Sequence, residues 1–453
     1  MVGNRSGAAF RVAIIGAGIA GCAAAYFVRE SMPQAEIVVF EKAGQVGGRI
    51  RSMQMGGLLL DSGATLIHSS NRHLVHFLKV LGLKKALPHH RKATDPPSTV
   101  GVWNGTSFDL LTSRSSWRTQ IKMLQRYHLS PLRLQRVVKQ TVKQWTQIYE
   151  LQAQQEGFAS PKALFRRLGL YELTQESSGD FLERQGVASL LVQEFVTGIS
   201  RVNYGQDASI NSFVNMVSLA GAGLAGGHLF SVAGGNVQLC QGLLAEAKVA
   251  LHMNMGISAI GRDNNTKSGI RPYILTTSEG REKRVDAVII AAPLEFAHLR
   301  FNRLEIPRMT YQERPYQVTN ATFVMGELNP AYFGQERLDK LPDLIMTREA
   351  PNIPFSSIGV AGSREHSSPI YKIFSRQPIS DDLLAKLFTK PQQVERILWW
   401  AYPILNPMPE WPPFKLADGL YYANAMESAV STMETEAVAS RNVVNLLLQD
   451  LKN

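Results

Sequence analysis

Few short stretches limit a fold as tightly as "RVAIIGAGIAGCAAAY", residues 11–26. The apolar run "RVAIIG" reads as a buried β-strand. "IAGCAAAYFVRESM" reads as a helix of small and apolar residues, ended before Pro33. "AEIVVFEK" supplies a second strand. Strand, glycine turn, helix, strand is the βαβ dinucleotide-binding unit. Gly16, Gly18 and Gly21 have separate tasks in it. The first permits the tight turn, the second lets backbone approach a pyrophosphate, and the third lets helix and strand pack closely. The helix N-terminus presents free N–H groups and a positive dipole end to the phosphates. Glu41 ends the second strand 20 residues after Gly21, the reach at which a carboxylate accepts from ribose hydroxyls. Like charges would repel a 2′-phosphate there. Lys42, the next residue, is grouped with this end of the nucleotide site. The unit alone leaves NAD and FAD both open.

A second glycine cluster follows in "EKAGQVGGRIRS", 41–52. FAD is long, and its pyrophosphate and ribityl chain need further backbone surface. Gly47 and Gly48 let the chain pass close, and Arg49 offers phosphate a fork of donors. The distance from Glu41 fits FAD better than NAD, the plain alternative being an ordinary loop.

The chain has 453 residues, enough for two or three domains with a large core. Its net charge of +11 and pI near 9.6 suit anionic partners or simply a solvated basic face. No nucleic-acid module is recognisable, so nucleic acid is set aside as a partner. Two cysteines, Cys22 and Cys240, make neither a disulfide framework nor a metal cluster, and no metal site is expected. The N-terminus runs into the first strand without an apolar core of signal-peptide length. No apolar run is long enough to span a bilayer. The expectation is a soluble, cytoplasmic chain, unless a targeting segment has been removed.

Further along, "VDAVIIAAPLEF" (285–296) reads as a buried strand. The segments before it read as strands turning around Asn264–Asn265 and Glu279–Gly280. Residues 419–451 begin as a strand and end as a helix. Residues 107–205 are helical and basic, and 305–415 mix short strands with proline-rich turns.

These stretches resemble a known superfamily. "EKAGQVGGRIRS" resembles the second FAD motif of the monoamine oxidase and phytoene desaturase type of flavoprotein. "LLLDSGATLIH", 58–68, resembles the next segment, which in that superfamily returns to the flavin ring; this implies contacts from Gly63, Ala64 and Thr65. "VDAVIIAAPL" resembles its late strand, and "STMETEAV", 431–438, the segment beside the flavin and ribityl chain. The resemblance implies noncovalent FAD, and no cysteine lies near the C-terminal segment. "YGQDASINSFVNMVSLAGA" (204–222), "FSVAGGNVQLCQGLL" (230–244), "SGATLIHSSNRHL" and "LYYANAMESAVSTMETEAVASRNV" are similar to the prenylcysteine oxidase family. This similarity runs along nearly the whole chain and is weakest over 85–115 and 300–400.

The fold implied is α/β: a Rossmann-type FAD-binding domain of the GR2-like kind with a mixed α+β substrate domain inserted. The expected division is FAD-binding at 1–84, 226–300 and 399–453. A mainly helical insertion at 85–225 and a sheet at 301–398 make the substrate domain. The activity implied is oxidation of the thioether of S-prenylcysteine. Hydride leaves the carbon next to sulfur for the flavin, water adds, and the hemithioacetal collapses to cysteine and a prenyl aldehyde. O2 reoxidises the flavin and gives hydrogen peroxide. The rivals are an amine oxidase, an isoprenoid desaturase, and an FAD-binding protein without turnover.

The resemblance also nominates single residues. His68 is the candidate to position substrate or relay a proton, against a hydrogen-bonded structural histidine. Ile257 is placed at the adenine through its backbone, and Asn424 at the ribityl chain, where amine oxidases carry an acid. Met433, Glu434 and Thr435 are the C-terminal flavin contacts. Gly234, Gly235 and Asn236 bring backbone toward the flavin or form a tight turn, and Tyr204 and Gln206 read as packing residues. The lysine and aromatic cage that amine oxidases place at the flavin are not identifiable. Residues 132–151 carry apolar residues at helical spacing with Arg133, Arg136, Lys139 and Lys143 mainly on another face. Such a helix suits peripheral contact with an anionic membrane, or a core-facing stripe with a solvated basic face.

Overall fold

The structure, a computed structural model, describes residues 9–87, 95–263, 272–363 and 368–452. The expected turn at Asn264–Asn265 lies outside these residues. Strand β1 (Arg11–Ile15) is buried from its second residue onward and pairs in parallel with β2 (Glu36–Phe40). Helix α1 (Ile19–Ser31) connects them, and its first ten residues are all buried. It is walled in by the C-terminal helix Met433–Asp450 on one side and the helix Val237–Glu246 on another. That crowding explains the run of glycine and alanine, since larger side chains would hold the helices apart. The Ser440 hydroxyl of the C-terminal helix donates to the Ala20 carbonyl at 2.7 Å.

The six-stranded sheet orders Ala250–His252, β2, β1, Ala287–Ile290, Leu420–Tyr422 and Lys415–Ala417. All pairs are parallel except the last. Strands far apart in sequence thus meet in one nucleotide-binding sheet, whose carboxyl ends carry the ligand crevice. A four-stranded sheet lies beside it, with its hairpin turning through Gly280 at φ 81°.

A seven-stranded, mostly antiparallel sheet forms the second layer. Its strands come from Val100–Trp103 and Phe108–Leu111 as well as from residues 316–403. The segment expected to be mainly helical therefore donates two strands to this sheet. The strand Gln393–Pro403 crosses the expected division at 398/399, because it pairs along its length with Tyr316–Met325.

Helix α2 (Arg72–Val80) borders the nucleotide half, and α3 (Ser116–Tyr127), α4 (Ser130–Trp145) and α5 (Ile148–Ala153) follow. The single helix expected over 132–151 is thus two, parted at Thr146–Gln147. Its apolar stripe feeds two cores: Leu134 and Val138 pack with Tyr127 and Leu191, whereas Trp145, Ile148 and Tyr149 join the core beneath the nucleotide sheet. The turn redirects the chain from one core to the other. Most of the stripe is buried, although Leu132 at the start of α4 is exposed, and the basic face meets solvent. Among the described residues no helix is long and apolar enough to cross a membrane.

Candidate active site

The two glycine clusters fold onto each other. Gly16 has φ 107°, and a Cβ there would sit 2.7 Å from the Ala291 carbonyl oxygen. The Gly47 N–H donates to the Ala17 carbonyl at 2.8 Å, and Gly18 and Gly47 form a parallel bridge. Gly48, at φ 58°, passes so close that a Cβ would stand 3.3 Å from the Gly18 Cα. The second cluster thus completes the first by closing over its turn. A Cβ on Gly18 would meet nothing within 4 Å, so that position faces open space, and Gly18, Ile19 and Ala20 line a large cavity. Gly21 is absent from that lining: it packs under the turn, against the Gly16 carbonyl.

Glu41 is 9% exposed. Its carboxylate accepts from the Ala17 N–H at 2.8 Å and the Ala43 N–H at 2.9 Å. It braces the glycine turn and still lines the cavity with free lone pairs. Lys42 also lines it, with its ammonium donating to the Phe296 carbonyl. Gly256 and Ile257 form the adjoining wall. Arg49 Nη1 pairs with Glu427 and donates to the Ala401 carbonyl. Its other N–H groups have no acceptor among the described residues, which leaves a fork on the cavity wall.

The cavity holds about 1260 Å³, above the usual range of roughly 300–1,000 Å³ for small-molecule sites. Gly63, Ala64, Thr65 and His68 lie on its wall. Ala64 adopts φ 53°, a left-handed conformation that costs about 1 kcal/mol for a residue with a Cβ. Asn236 holds it there: its buried amide donates to the Ala64 carbonyl at 2.6 Å and the Thr65 carbonyl at 2.9 Å. Asn236 Oδ1 accepts from the Val232 N–H, so the amide is fully tied into its own turn. Gly234 and Gly235, at φ 86° and 96°, shape that turn without reaching the cavity. The "GGN" motif therefore acts through residues 64–65 and not by its own approach.

His68 is tied at both nitrogens. Nδ1 accepts from the Ser70 N–H at 3.2 Å, so Nε2 carries the proton and donates to the Gly226 carbonyl at 2.8 Å. Neither nitrogen is left for substrate, which removes the basis for a proton relay through this ring. Gln206 closes a backbone contact at Pro403 and Leu405 away from the cavity, whereas Tyr204 lines it against Tyr402.

The C-terminal helix enters the cavity by its N-terminus. Thr432 and Thr435 cap each other reciprocally, and Met433, Glu434, Thr435 and Glu436 all line the wall. The Glu434 carboxylate is engaged elsewhere: it accepts from the His73 and Leu74 N–H groups at the start of α2 and from the Tyr149 hydroxyl at 2.6 Å. It offers the cavity its backbone. Asn424 Nδ2 donates to Glu436 Oε2 at 2.8 Å, while Asn424 Oδ1 is buried with no partner among the described residues. An orphan acceptor on a cavity wall needs a donor. A ligand hydroxyl has the right chemistry for it. Burial, and then neighbouring Glu427, hold the Glu436 carboxyl well above the usual carboxylate range.

Sequence reasoning missed Lys372. It sits in the strand Ile370–Ser375, amid alternating apolar residues, and lines the cavity. Its ammonium donates to the Asp61 carbonyl at 3.3 Å and Thr65 Oγ1 at 3.2 Å, with the Phe374 ring 4.9 Å away. Burial pulls its pKa down to about 8, against a partial opposing pull from Asp61. A lone lysine in the strand "IYKIFS" was the available signal. Trp399 is the other omission: a Cβ on Gly63 would strike its ring at 2.6 Å, so that glycine admits the indole.

The low Lys372 pKa has a signed consequence. Below pH 8 both folded and unfolded chains hold the proton, and the folded chain bears the full cost of the buried charge. From about pH 8 to 10 the folded chain releases the proton while the unfolded chain keeps it, up to about 10.4. Stability against urea, at fixed flavin content, is expected to rise over that interval relative to Lys372→Met. Parallel profiles for the two chains would remove the depressed pKa.

The arrangement defines a Rossmann-type dinucleotide-binding protein whose crevice opens into a second, apolar chamber. Its fold is shared with a putrescine oxidase variant (TM-score 0.66, 15% identity, covering 98% of this chain and 100% of that one). It is also shared with cyclohexylamine oxidase from Brevibacterium oxydans (TM-score 0.64, 15% identity, 98% and 100%). An NAD(P)-binding Rossmann-like domain model matches residues 14–81, and the Prenylcysteine lyase family model matches residues 110–453. Farnesylcysteine lyase of Arabidopsis thaliana is 36% identical, over 96% of this chain and 88% of that protein. Prenylcysteine oxidase 1 of Bos taurus and of Homo sapiens are each 31% identical over the same shares. The chain belongs to the prenylcysteine lyase family.

Proposed function

We propose that this protein is an FAD-dependent oxidase that cleaves S-prenylcysteine to a prenyl aldehyde and free cysteine. The observation that carries the reading is the continuity of the cavity. One end is the glycine crevice; the other is walled by Val142, Trp145, Phe195, Ile199, Val217 and Met346. An apolar chamber of that kind stabilises an isoprenoid chain by about 0.8 kcal/mol per buried methylene. The names of the family relatives agree with this substrate class.

Gly16, Gly18 and the N-terminus of α1 hold the pyrophosphate, with the Arg49 fork beside them. Glu41 accepts from ribose hydroxyls, Gly256 and Ile257 border the adenine, and Asn424 with the start of the C-terminal helix takes the ribityl chain. Residues 63–65, pinned by Asn236 and Lys372, would hold the flavin ring. When bound, the flavin supplies the two-electron acceptor for hydride from the carbon next to sulfur, with O2 as final acceptor. The chain's part is to align that carbon and exclude bulk water. Lys372 is the wall amine able to hold or release a proton near pH 8 when water adds to the oxidised carbon. FAD would be held without a link to cysteine, since Cys22 and Cys240 lie buried outside the cavity lining.

Anaerobic addition of S-farnesylcysteine to the flavin-loaded protein is expected to bleach the flavin absorbance and release aldehyde plus thiol. No bleaching with FAD bound would exclude this substrate. Bleaching by amines with release of ammonia would favour the amine oxidase alternative.

A further inference from the structure

Helix α3 leaves an apolar face exposed among the described residues. Its core side is Met123 and Tyr127, which meet α4 and the second core. On another side stand Trp117, Ile121 and Leu124, spaced as one helical face. Leu129 and Leu132 follow at the corner into α4. These five side chains are between 41% and 60% exposed, an unusual concentration for large apolar residues.

The surrounding charge says what fits there. Between Asp109 and Glu150 the chain carries eight Lys and Arg and no acidic residue. Arg126 is paired with Glu194, but Arg118, Arg136, Lys139 and Lys143 are exposed and have no acidic partner among the described residues. An apolar face framed by unpaired cations is complementary to an anionic bilayer, where the rings and leucines enter the acyl boundary and the cations meet headgroups.

The position of the face adds a reason. Arg114, two residues before α3, has a side chain 52% exposed and also lines the large cavity. The cavity therefore reaches the surface within one helical turn of Trp117. Val142 of α4 lines the same cavity from inside.

We propose that α3 and the α3–α4 corner dock this protein on an anionic phospholipid bilayer, with the cavity mouth beside the lipid. The docking itself is independent of the proposed activity. Only its use, delivery of a membrane-partitioned amphiphile to the cavity, rests on that reading.

The test uses the full, flavin-loaded chain and co-sedimentation with two kinds of vesicle: phosphatidylcholine alone, and phosphatidylcholine with about 30 mol % phosphatidylserine. Binding is expected to be at least about tenfold tighter to the second, and weakened by salt. Trp117→Ser/Ile121→Ser is expected to weaken it about tenfold or more, with flavin content unchanged. Arg136→Gln/Lys139→Gln/Lys143→Gln is expected to remove most of the preference for phosphatidylserine and its salt dependence. Absence of binding to phosphatidylserine vesicles at low salt, or equal binding by both variants and the parent, would overturn the proposal. So would a dimer in sedimentation velocity that Trp117→Ser dissociates while vesicles are ignored, which would make the face a contact between copies of this chain. Because flavin content is read separately, loss of vesicle binding is not confused with loss of the cofactor site.

Discussion

Gly21→Val is expected to accumulate mainly as insoluble protein without flavin. Gly21 lies inside α1, where the helix crosses the start of its own glycine turn. A Cβ there would stand 1.9 Å from the Gly16 carbonyl oxygen and 3.3 Å from Ile14 Cγ2. The first contact is to backbone, so no rotamer relieves it. α1 would have to lift from β1, yet it is held on its far sides by the C-terminal helix and Val237–Glu246. Overpacking by a side chain against yielding neighbours costs about 1–3 kcal/mol. A backbone collision in a helix buried all round should exceed about 4 kcal/mol. Gly18→Ala is the control. Its added methyl meets nothing within 4 Å, and the backbone at φ −75° suits any residue. That chain is expected to fold with parental circular dichroism while losing flavin, because the methyl would occupy the proposed approach to the pyrophosphate. Soluble, flavin-loaded Gly21→Val would refute the packing role. Unchanged flavin content in Gly18→Ala would refute the position of the phosphates.

The contrast between these two glycines marks what could be read in advance. Glycine turns, strand runs and the acidic residue after β2 are local constraints, and their spacing alone carries them. The nucleotide half of the fold and the positions of Gly16, Gly18, Glu41 and Gly47–Gly48 were legible for that reason. The chamber half was not. Asn236 acts on residues 64–65, and Lys372 reaches Thr65 across 307 positions of sequence. No periodicity predicts such pairs; the sheet that brings Lys372 to the cavity must form first. Arg49 shows the same limit, since a fork read as facing phosphate also binds Glu427. The helical spacing through 132–151 continued past a real break because each half faces an apolar core, though not the same one. The exposed face of α3 was in the sequence, but spacing cannot tell a stripe that is covered from one that is not.

Arg314→Met is expected to lower the stability of the folded chain by about 3–5 kcal/mol, the usual loss when one partner of a buried ion pair is removed. Arg314 is 6% exposed and binds Glu295 through Nε and Nη2, the Tyr422 hydroxyl at 2.8 Å and the Asn424 carbonyl at 3.3 Å. Glu427, with no exposure, stands 4.0 Å away and also holds Arg49 and the Tyr316 hydroxyl. The cluster therefore fastens the second glycine cluster, the segment after the strand Ala287–Ile290, the strand Tyr316–Met325 of the seven-stranded sheet and the turn before the C-terminal helix. Burial works to raise the Glu295 pKa, but the Arg314 guanidinium overcomes it and holds the carboxyl below its ordinary range. Its contribution to stability is then present above the ordinary value, near 4.3, and is lost as the pH falls through the lowered one. Without the guanidinium only burial remains, and Glu295 should bind a proton more readily in the folded chain than in the unfolded one. Urea unfolding from pH 4 to 7 distinguishes the cases: the parent should gain stability as pH rises through that interval relative to Arg314→Met. Arg314→Met/Glu295→Leu should recover part of the loss, because it removes one stranded charge together with its partner. Flavin release should quicken in the single variant, since Asn424 and Arg49 belong to the same cluster. A loss under about 1 kcal/mol, with flavin release unchanged, would mean that the two sheets are joined by their apolar contacts and that the ions are passengers.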